Sequence, residues 1–204
     1  YDHIQRMITE LSGDFCQSDT AIYDLGCSTG TTLALLSGRI IDPSVKFIGV
    51  DNSQPMLDKC RQRFLSAKYK RVSFACGDLN GGMSFDAGTA SVMLMNWTLQ
   101  FVRPINRDKI IKQIKDNLMS GGCLIVVEKV LGPHSLLNRL YIEHYFDFKR
   151  RNGYSEMEIS QKREALENVL IPYTIDENKE LFIRNGFGLV DLFFRWYNFA
   201  GFVC

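Results

Sequence analysis

The run Asp24-Leu25-Gly26-Cys27-Ser28-Thr29-Gly30 breaks an apolar stretch and opens a helical one. Its glycines, Gly26 and Gly30, let the backbone turn sharply and let a ligand approach without meeting a Cβ. The spacing is not G-x-G-x-x-G, and Ser28 stands where a phosphate-cradling loop favours glycine, so a dinucleotide is disfavoured. Asp51 comes about 25 residues after Gly26, the position of a carboxylate that accepts both ribose hydroxyls, and Asn52 is placed to lie against adenine. Asp78 can accept from the adenine amine, and Asn96 stands at the centre of the same crevice. Taken singly, each is an ordinary loop residue or cap. At successive strand ends they point together to a nucleoside site.

Arg163 carries a second kind of chemistry. It lies at i+4 from Ile159, on a stripe continued by Leu166 and Leu170. A guanidinium that faces the interior needs a carboxylate or phosphate, because an uncompensated buried charge is costly. The alternative is that it snorkels from the edge of the stripe. The neighbouring Lys149, Arg150, Arg151 and Lys162 read as a solvated face. His144 does not share a helix face with Glu143 and Asp147 at metal-ligand spacing, so no metal is expected. Cys27 has no base beside it and reads as a small packed side chain.

These residues need strands and helices to hold them. Ile4, Met7, Ile8, Leu11 and Phe15 repeat at helical spacing and predict an opening amphipathic helix. Strands are predicted at 21–25, 45–50, 71–76, 91–95 and 123–130, with helices between them, one begun by Pro55 and one stopped by Gly121-Gly122. That alternation predicts a doubly wound, mostly parallel α/β sheet covered on both faces. After the fifth strand the rhythm changes to a helical insertion at about 132–172, with a capping box at Ser155 and Glu158 and another at Thr174 and Glu177. Segments 187–196 and 198–204 are joined too tightly for a crossover, so they should pair antiparallel and bring the sheet to seven strands. A single domain is expected.

Composition narrows the class. The 204 residues carry 24 Lys+Arg against 23 Asp+Glu, so no global field recruits nucleic acid or an anionic membrane. A hydrophobic share of 46% and a charged share of 23% exclude a disordered or collagenous chain. Six cysteines without C-x-x-C spacing predict reduced, buried thiols in a cytoplasmic protein. No apolar stretch approaches the roughly 18 residues of a membrane span, and no signal peptide is visible. The chain opens at Tyr1 without an initiator Met, so an upstream segment is expected.

The strand-end residues together resemble a class I S-adenosylmethionine (SAM) binding fold, the methyltransferase type, in which a final antiparallel strand is also expected. A more specific resemblance lies in Asp147-Phe148-Lys149-Arg150-Arg151-Asn152-Gly153-Tyr154-Ser155-Glu156-Met157-Glu158-Ile159-Ser160-Gln161-Lys162-Arg163, continuing to Leu166-Glu167-Asn168-Val169. This closely resembles the bacterial carboxy-SAM synthase family. So do Tyr23 to Ser28, Asp51 to Met56, Asn96 with Thr98 to Phe101, and Asn198-Phe199; the resemblance covers essentially the whole chain. It implies a one-carbon transferase that turns SAM and prephenate into carboxy-SAM and phenylpyruvate. Prephenate loses carbon dioxide, which the deprotonated methyl carbon of SAM captures. A separate enzyme then passes the carboxymethyl group to tRNA wobble uridine.

By the same resemblance Gly26, Cys27 and Ser28 line the methionine and ribose, and Asp51 and Asn52 hold ribose and adenine. Asp78 and Leu79 take the adenine side, Asn96 the reacting region, Tyr1 the cofactor entrance, and Arg163 the new carboxylate. The last role agrees with charge logic: a sulfonium repels a guanidinium, whereas a carboxylate matches its fork. A homodimer without bound metal and without direct tRNA binding is implied. The sequence departs from the family at Tyr145-Phe146, where a histidine pair is usual, at Trp97, and at Trp196-Tyr197. A conventional methyltransferase of tRNA or a small molecule, and a non-catalytic carboxy-SAM-binding protein, are the rival readings.

Overall fold

The computed structural model describes residues 2–83, 85 and 88–204, so the role expected for Tyr1 lies outside the described residues. The chain opens with α1 (Asp2–Phe15), followed by β1 (Ala21–Leu25), α2 (Thr31–Arg39), β2 (Lys46–Asp51), α3 (Gln54–Arg63) and β3 (Val72–Cys76). Then come β4 (Ala90–Asn96), a 3-10 turn at Leu99–Phe101, α4 (Pro104–Asn117) and β5 (Leu118–Lys129). α5 (Ser135–Arg151) and α6 (Glu156–Leu166) precede α7 (Ile175–Arg184), β6 (Asp191–Trp196) and β7 (Phe199–Val203).

The strands form one seven-stranded sheet in the order β3-β2-β1-β4-β5-β7-β6. Pairings from β3 across to β5 are parallel, and β7 runs antiparallel to both β5 and β6. The two residues Tyr197-Asn198 that join β6 to β7 leave no room for any other pairing. Helices cover both faces. Tyr23 and Leu25 of β1 pack with Ile110, Ile111 and Ile114 of α4 and with Leu181 and Phe182 of α7. Ile22 points the other way, into Ile8 of α1, Leu33 and Leu36 of α2 and Leu57 of α3. Burial on both sides is why these strands read as continuous apolar runs.

Two expectations are corrected. Gly121-Gly122 do not stop α4, which ends at Asn117; they lie inside β5, whose Leu118 already pairs with Ala90. A Cβ on Gly122 would come 2.8 Å from the Ser91 carbonyl, so close strand approach, not helix termination, requires the glycine. The thiols are unpaired, but Cys76 is exposed because β3 is an edge strand. No helix among the described residues is long and apolar enough to cross a membrane.

Strand order turns outward in opposite directions from β1 and β4. The loops after these two neighbours therefore bound the crevice at which open α/β sheets bind ligands.

Candidate functional site

A cavity of about 670 Å³ opens in that crevice, lined by Gly26, Cys27, Ser28, Asp51, Asn52, Asp78, Leu79 and Asn96, together with Gln5, Asp24, Thr98 and others. The structure thus gathers every described residue expected to hold the nucleoside. Gly26 adopts φ +83°, and a Cβ there would sit 2.2 Å from Thr98 Oγ1, so the turn after β1 and the loop after β4 meet only because residue 26 has no side chain. Gly26 and Cys27 donate their amides to the Val50 carbonyl at 2.7 and 2.9 Å, pinning the turn to the end of β2.

Asp51 is held in place. Its Oδ2 accepts from the Ser28 amide at 2.8 Å and its Oδ1 from the Ser53 amide at 2.9 Å. Lone pairs remain on both oxygens for a further donor pair. Asp78 Oδ1 accepts from the Asn80 amide at 2.9 Å. Asn96 donates to Thr32 Oγ1 at 3.3 Å, while its buried Oδ1, like Gln5 Oε1, has no partner in the fold. The lining holds three aspartates, and none of its described residues is Lys, Arg or His. Such a cavity repels phosphate and suits a cationic, donor-rich nucleoside. Cys27 is buried, and burial pushes its thiol up, so it stays protonated and packed. His144 stacks on Tyr197, with ring centroids 5.0 Å apart.

Asp24 was not expected to matter. It is fully enclosed, and burial first, with the Asp51 charge second, raises its carboxyl to about 7. Since the folded value exceeds the ordinary 3.8, the protonated form is favoured by folding. Stability from this group is complete below about pH 4 and is lost as pH rises toward 7. Asp24→Asn should therefore melt above the wild type by a margin that grows between pH 4 and 7 and then levels. Calorimetric scans across that range check this, and a constant margin would exclude Asp24 as the source.

A second cavity of about 510 Å³ lies beside the first, and the two share Trp97 and Phe101 as walls. Trp97 holds φ +63°, an uncommon conformation for a large side chain, with its amide donating to the Val127 carbonyl at 2.7 Å. Arg163 lines this second cavity, not the first. The expectation that it sits on a buried stripe is corrected. α6 buries Ile159 alone, and Leu166 remains 39% exposed, so the stripe is too shallow to desolvate a guanidinium. Lys149 and Lys162, read as part of a solvated face, also line this cavity, as does Lys129 at the end of β5. Arg150 does behave as a surface residue, paired with Asp147 at 2.7 Å and with Glu156.

A family profile described as a methyltransferase domain matches residues 22–122. The YcgJ protein of Bacillus subtilis superposes with a TM-score of 0.72 at 15% identity, over 96% of this chain and 72% of that one. Phosphoethanolamine N-methyltransferase 2 of Haemonchus contortus, in complex with SAM, superposes with a TM-score of 0.68 at 16% identity, over 93% and 38%. These likenesses establish the fold. A carboxy-S-adenosyl-L-methionine synthase of Methylococcus capsulatus is 52% identical over 204 residues, covering 100% of this chain and 84% of its own length. The chain belongs to the carboxy-S-adenosyl-L-methionine synthase family. The synthase of Wolinella succinogenes is 43% identical over 199 residues, covering 95% and 81%.

As a carboxy-SAM synthase family member, the chain is a transferase that uses SAM. SAM fits the first cavity: a cationic nucleoside meets the carboxylates of Asp51 and Asp78, with Asp24 favoured in its protonated form, and two acceptors that the fold leaves unpartnered. Asp51→Ala should weaken SAM and carboxy-SAM alike by about 1.5–3 kcal/mol, the range for hydrogen bonds to a charged group. Calorimetric titration of both ligands checks it, and unchanged affinity for either would remove Asp51 from the site.

Proposed function

We propose that this protein makes carboxy-SAM from SAM and prephenate, for carboxymethylation of tRNA wobble uridine by a separate enzyme. The observation that carries the proposal is the apposition of two cavities of opposite charge across Trp97 and Phe101, one lined by aspartates, the other by lysines and an arginine. A plain methyltransferase needs no cationic chamber beside a cationic methyl donor. A synthase that joins the donor to carbon dioxide drawn from a carboxylate does.

SAM would supply an acidic methyl group next to a sulfonium, and the hydroxide that prephenate loses together with carbon dioxide would take the methyl proton as water. The chain's residues bind and orient the two substrates. Asp51 and Asn52 orient the ribose and adenine, with Asp78 and Leu79 on the adenine side and Gly26 to Ser28 along the methionine. Asn96 Oδ1 offers an acceptor toward the reacting region, and Arg163 waits in the adjoining cavity for the carboxylate. Phe101 and Trp97 form the boundary between the two cavities. The protein works in the cytoplasm as a homodimer, and the exposed Leu136, Phe148 and Met157 on α5 and α6 support self-association there. It leaves tRNA to the next enzyme, in line with a net charge of +1.

Mass spectrometry of the reaction with SAM and prephenate tests the proposal. Formation of carboxy-SAM and phenylpyruvate together is expected. Loss of SAM to its demethylated form without carboxy-SAM would establish a conventional methyltransferase instead. Carboxy-SAM that binds but never forms would establish a carrier.

A further inference from the structure

Lys129, Lys149 and Lys162 come from three different elements, the end of β5, α5 and α6, yet line one chamber. None of them has a carboxylate partner among the described residues, in contrast to the paired Arg6, Arg61, Lys112, Arg139, Arg150 and Arg184. Instead Lys149 Nζ lies 4.7 Å above the Tyr145 ring, and Lys162 Nζ lies 4.7 Å above the Tyr154 ring. Aromatic faces soften an unpaired ammonium but do not neutralise it. The charges also feel one another. Lys149 is held below the ordinary lysine value by burial first, then by Lys162 and Lys129, and burial alone lowers Lys129. The fold has gathered three like charges with no ion-pair contact among them, opposed only by Glu167 in the lining and by Glu158, whose carboxyl Lys162 helps to lower.

Most of the remaining lining is aromatic or aliphatic. Tyr145, Phe146, Trp97, Phe101, Phe199 and Pro172 wall the chamber, and Glu167 is its one acidic residue. Flat rings on the walls with ammonium groups among them describe a receptor for a ring that carries carboxylates. Resting on the reading that prephenate is the second substrate, we propose that Lys129, Lys149 and Lys162 bind its carboxylates and set specificity for a ring-bearing dianion. Arg163 then remains free to take the carboxylate that is made. The histidine pair absent at Tyr145-Phe146 is thereby replaced by rings that line the chamber and lie under the Lys149 ammonium.

The test uses the full chain and four variants: Lys129→Met, which keeps the aliphatic stem, Lys149→Gln, Lys162→Gln, and Glu167→Gln. Each is checked for fold by circular dichroism and for SAM affinity by calorimetry, and both should be unchanged. KM for prephenate should rise about tenfold or more in each lysine variant, the scale of one lost charge-assisted contact. In Glu167→Gln it should fall, because a repelling carboxylate has gone. Opposite signs from opposite charges are a result that general loosening of the fold would not give. Unchanged KM in the three lysine variants, with the wild type active, would overturn the inference and leave the synthase reading intact. If the wild type makes no carboxy-SAM, tryptophan fluorescence is titrated with prephenate, phenylpyruvate and benzoate. Lysine-dependent binding that favours the dianion would then sustain the chamber while the synthase reading falls. Equal binding of dianion and monoanion, or binding indifferent to the lysines, would overturn both.

Discussion

Arg107→Met should lower the thermal midpoint by about 6–20 °C, the shift expected when a buried charged network loses about 3–5 kcal/mol in a chain of this size. The Arg107 side chain is fully enclosed. Its Nε donates to the Val102 carbonyl at 2.9 Å, and its Nη2 reaches the carbonyls of Ile171 and Gln100. The guanidinium also lies 4.1 Å above the Tyr173 ring. Its removal strands those carbonyls and leaves Glu128 buried without a nearby cation. Glu128 is already raised to about 7 by burial, with Arg107 the charge that opposes the rise. Arg107→Lys should recover part of the loss, because one ammonium cannot reach carbonyls fanned across a fork. Since the turn at Leu99–Phe101 and the segment after α6 supply walls of both cavities, SAM affinity should fall along with stability. Thermal scans beside calorimetric titration check both, and a midpoint within 2 °C of wild type, about 0.5–1 kcal/mol, would refute the assignment.

Arg163→Ala should separate two ligands that differ by one carboxylate. Carboxy-SAM is expected to lose about 2–5 kcal/mol, the range for truncating one partner of a desolvated charge pair. SAM should lose little, and relief of like-charge repulsion favours its tighter binding. In the ligand-free protein the guanidinium is exposed, without an ion-pair partner among the described residues, so its removal should leave the melting temperature unchanged. Paired titrations of wild type, Arg163→Ala and Arg163→Lys decide the matter. Equal losses for the two ligands would end the carboxylate role.

An enclosed arginine on an apolar helical stripe does occur in this fold, at Arg107 and not at Arg163. Arg107 precedes Ile111 by four residues and Ile114 by seven, on the face of α4 that packs into the sheet. Arg107 is the enclosed arginine of that kind, bonded to carbonyls through Nε and Nη2 and set against the Glu128 charge, although its Nη1 has no partner. Arg163 satisfies the same spacing on a helix that barely touches the core, and spacing alone does not say how deeply a helix docks. The alternation of strands and helices, the antiparallel close and both capping boxes were legible because each follows from local chemistry: apolar runs, loop length, and Ser155 or Thr174 three residues before a glutamate. The first cavity was legible for a related reason, since ligands of such sheets meet strand ends. The second was not. Its lysines lie far apart in the chain, and only the packing of α5 and α6 over the end of β5 brings them together.

That loose docking of α6 bears on how the protein moves in time. The helix is completed from within by its Ser155–Glu158 cap and held to α5 at its first turn by the exposed Arg150–Glu156 pair, while Ile159 is its one buried residue. β4, by contrast, is buried from Ala90 to Met95, and β5 from Cys123 to Glu128. Backbone amides of α6 should therefore exchange with solvent through local opening, long before those of β4 and β5, which wait for global unfolding. A ligand that engages Lys162 and Arg163 must first still that segment, so part of its intrinsic affinity goes into ordering α6. Protection gained by α6 alone, with the central strands unchanged, is the kinetic signature of a filled second chamber.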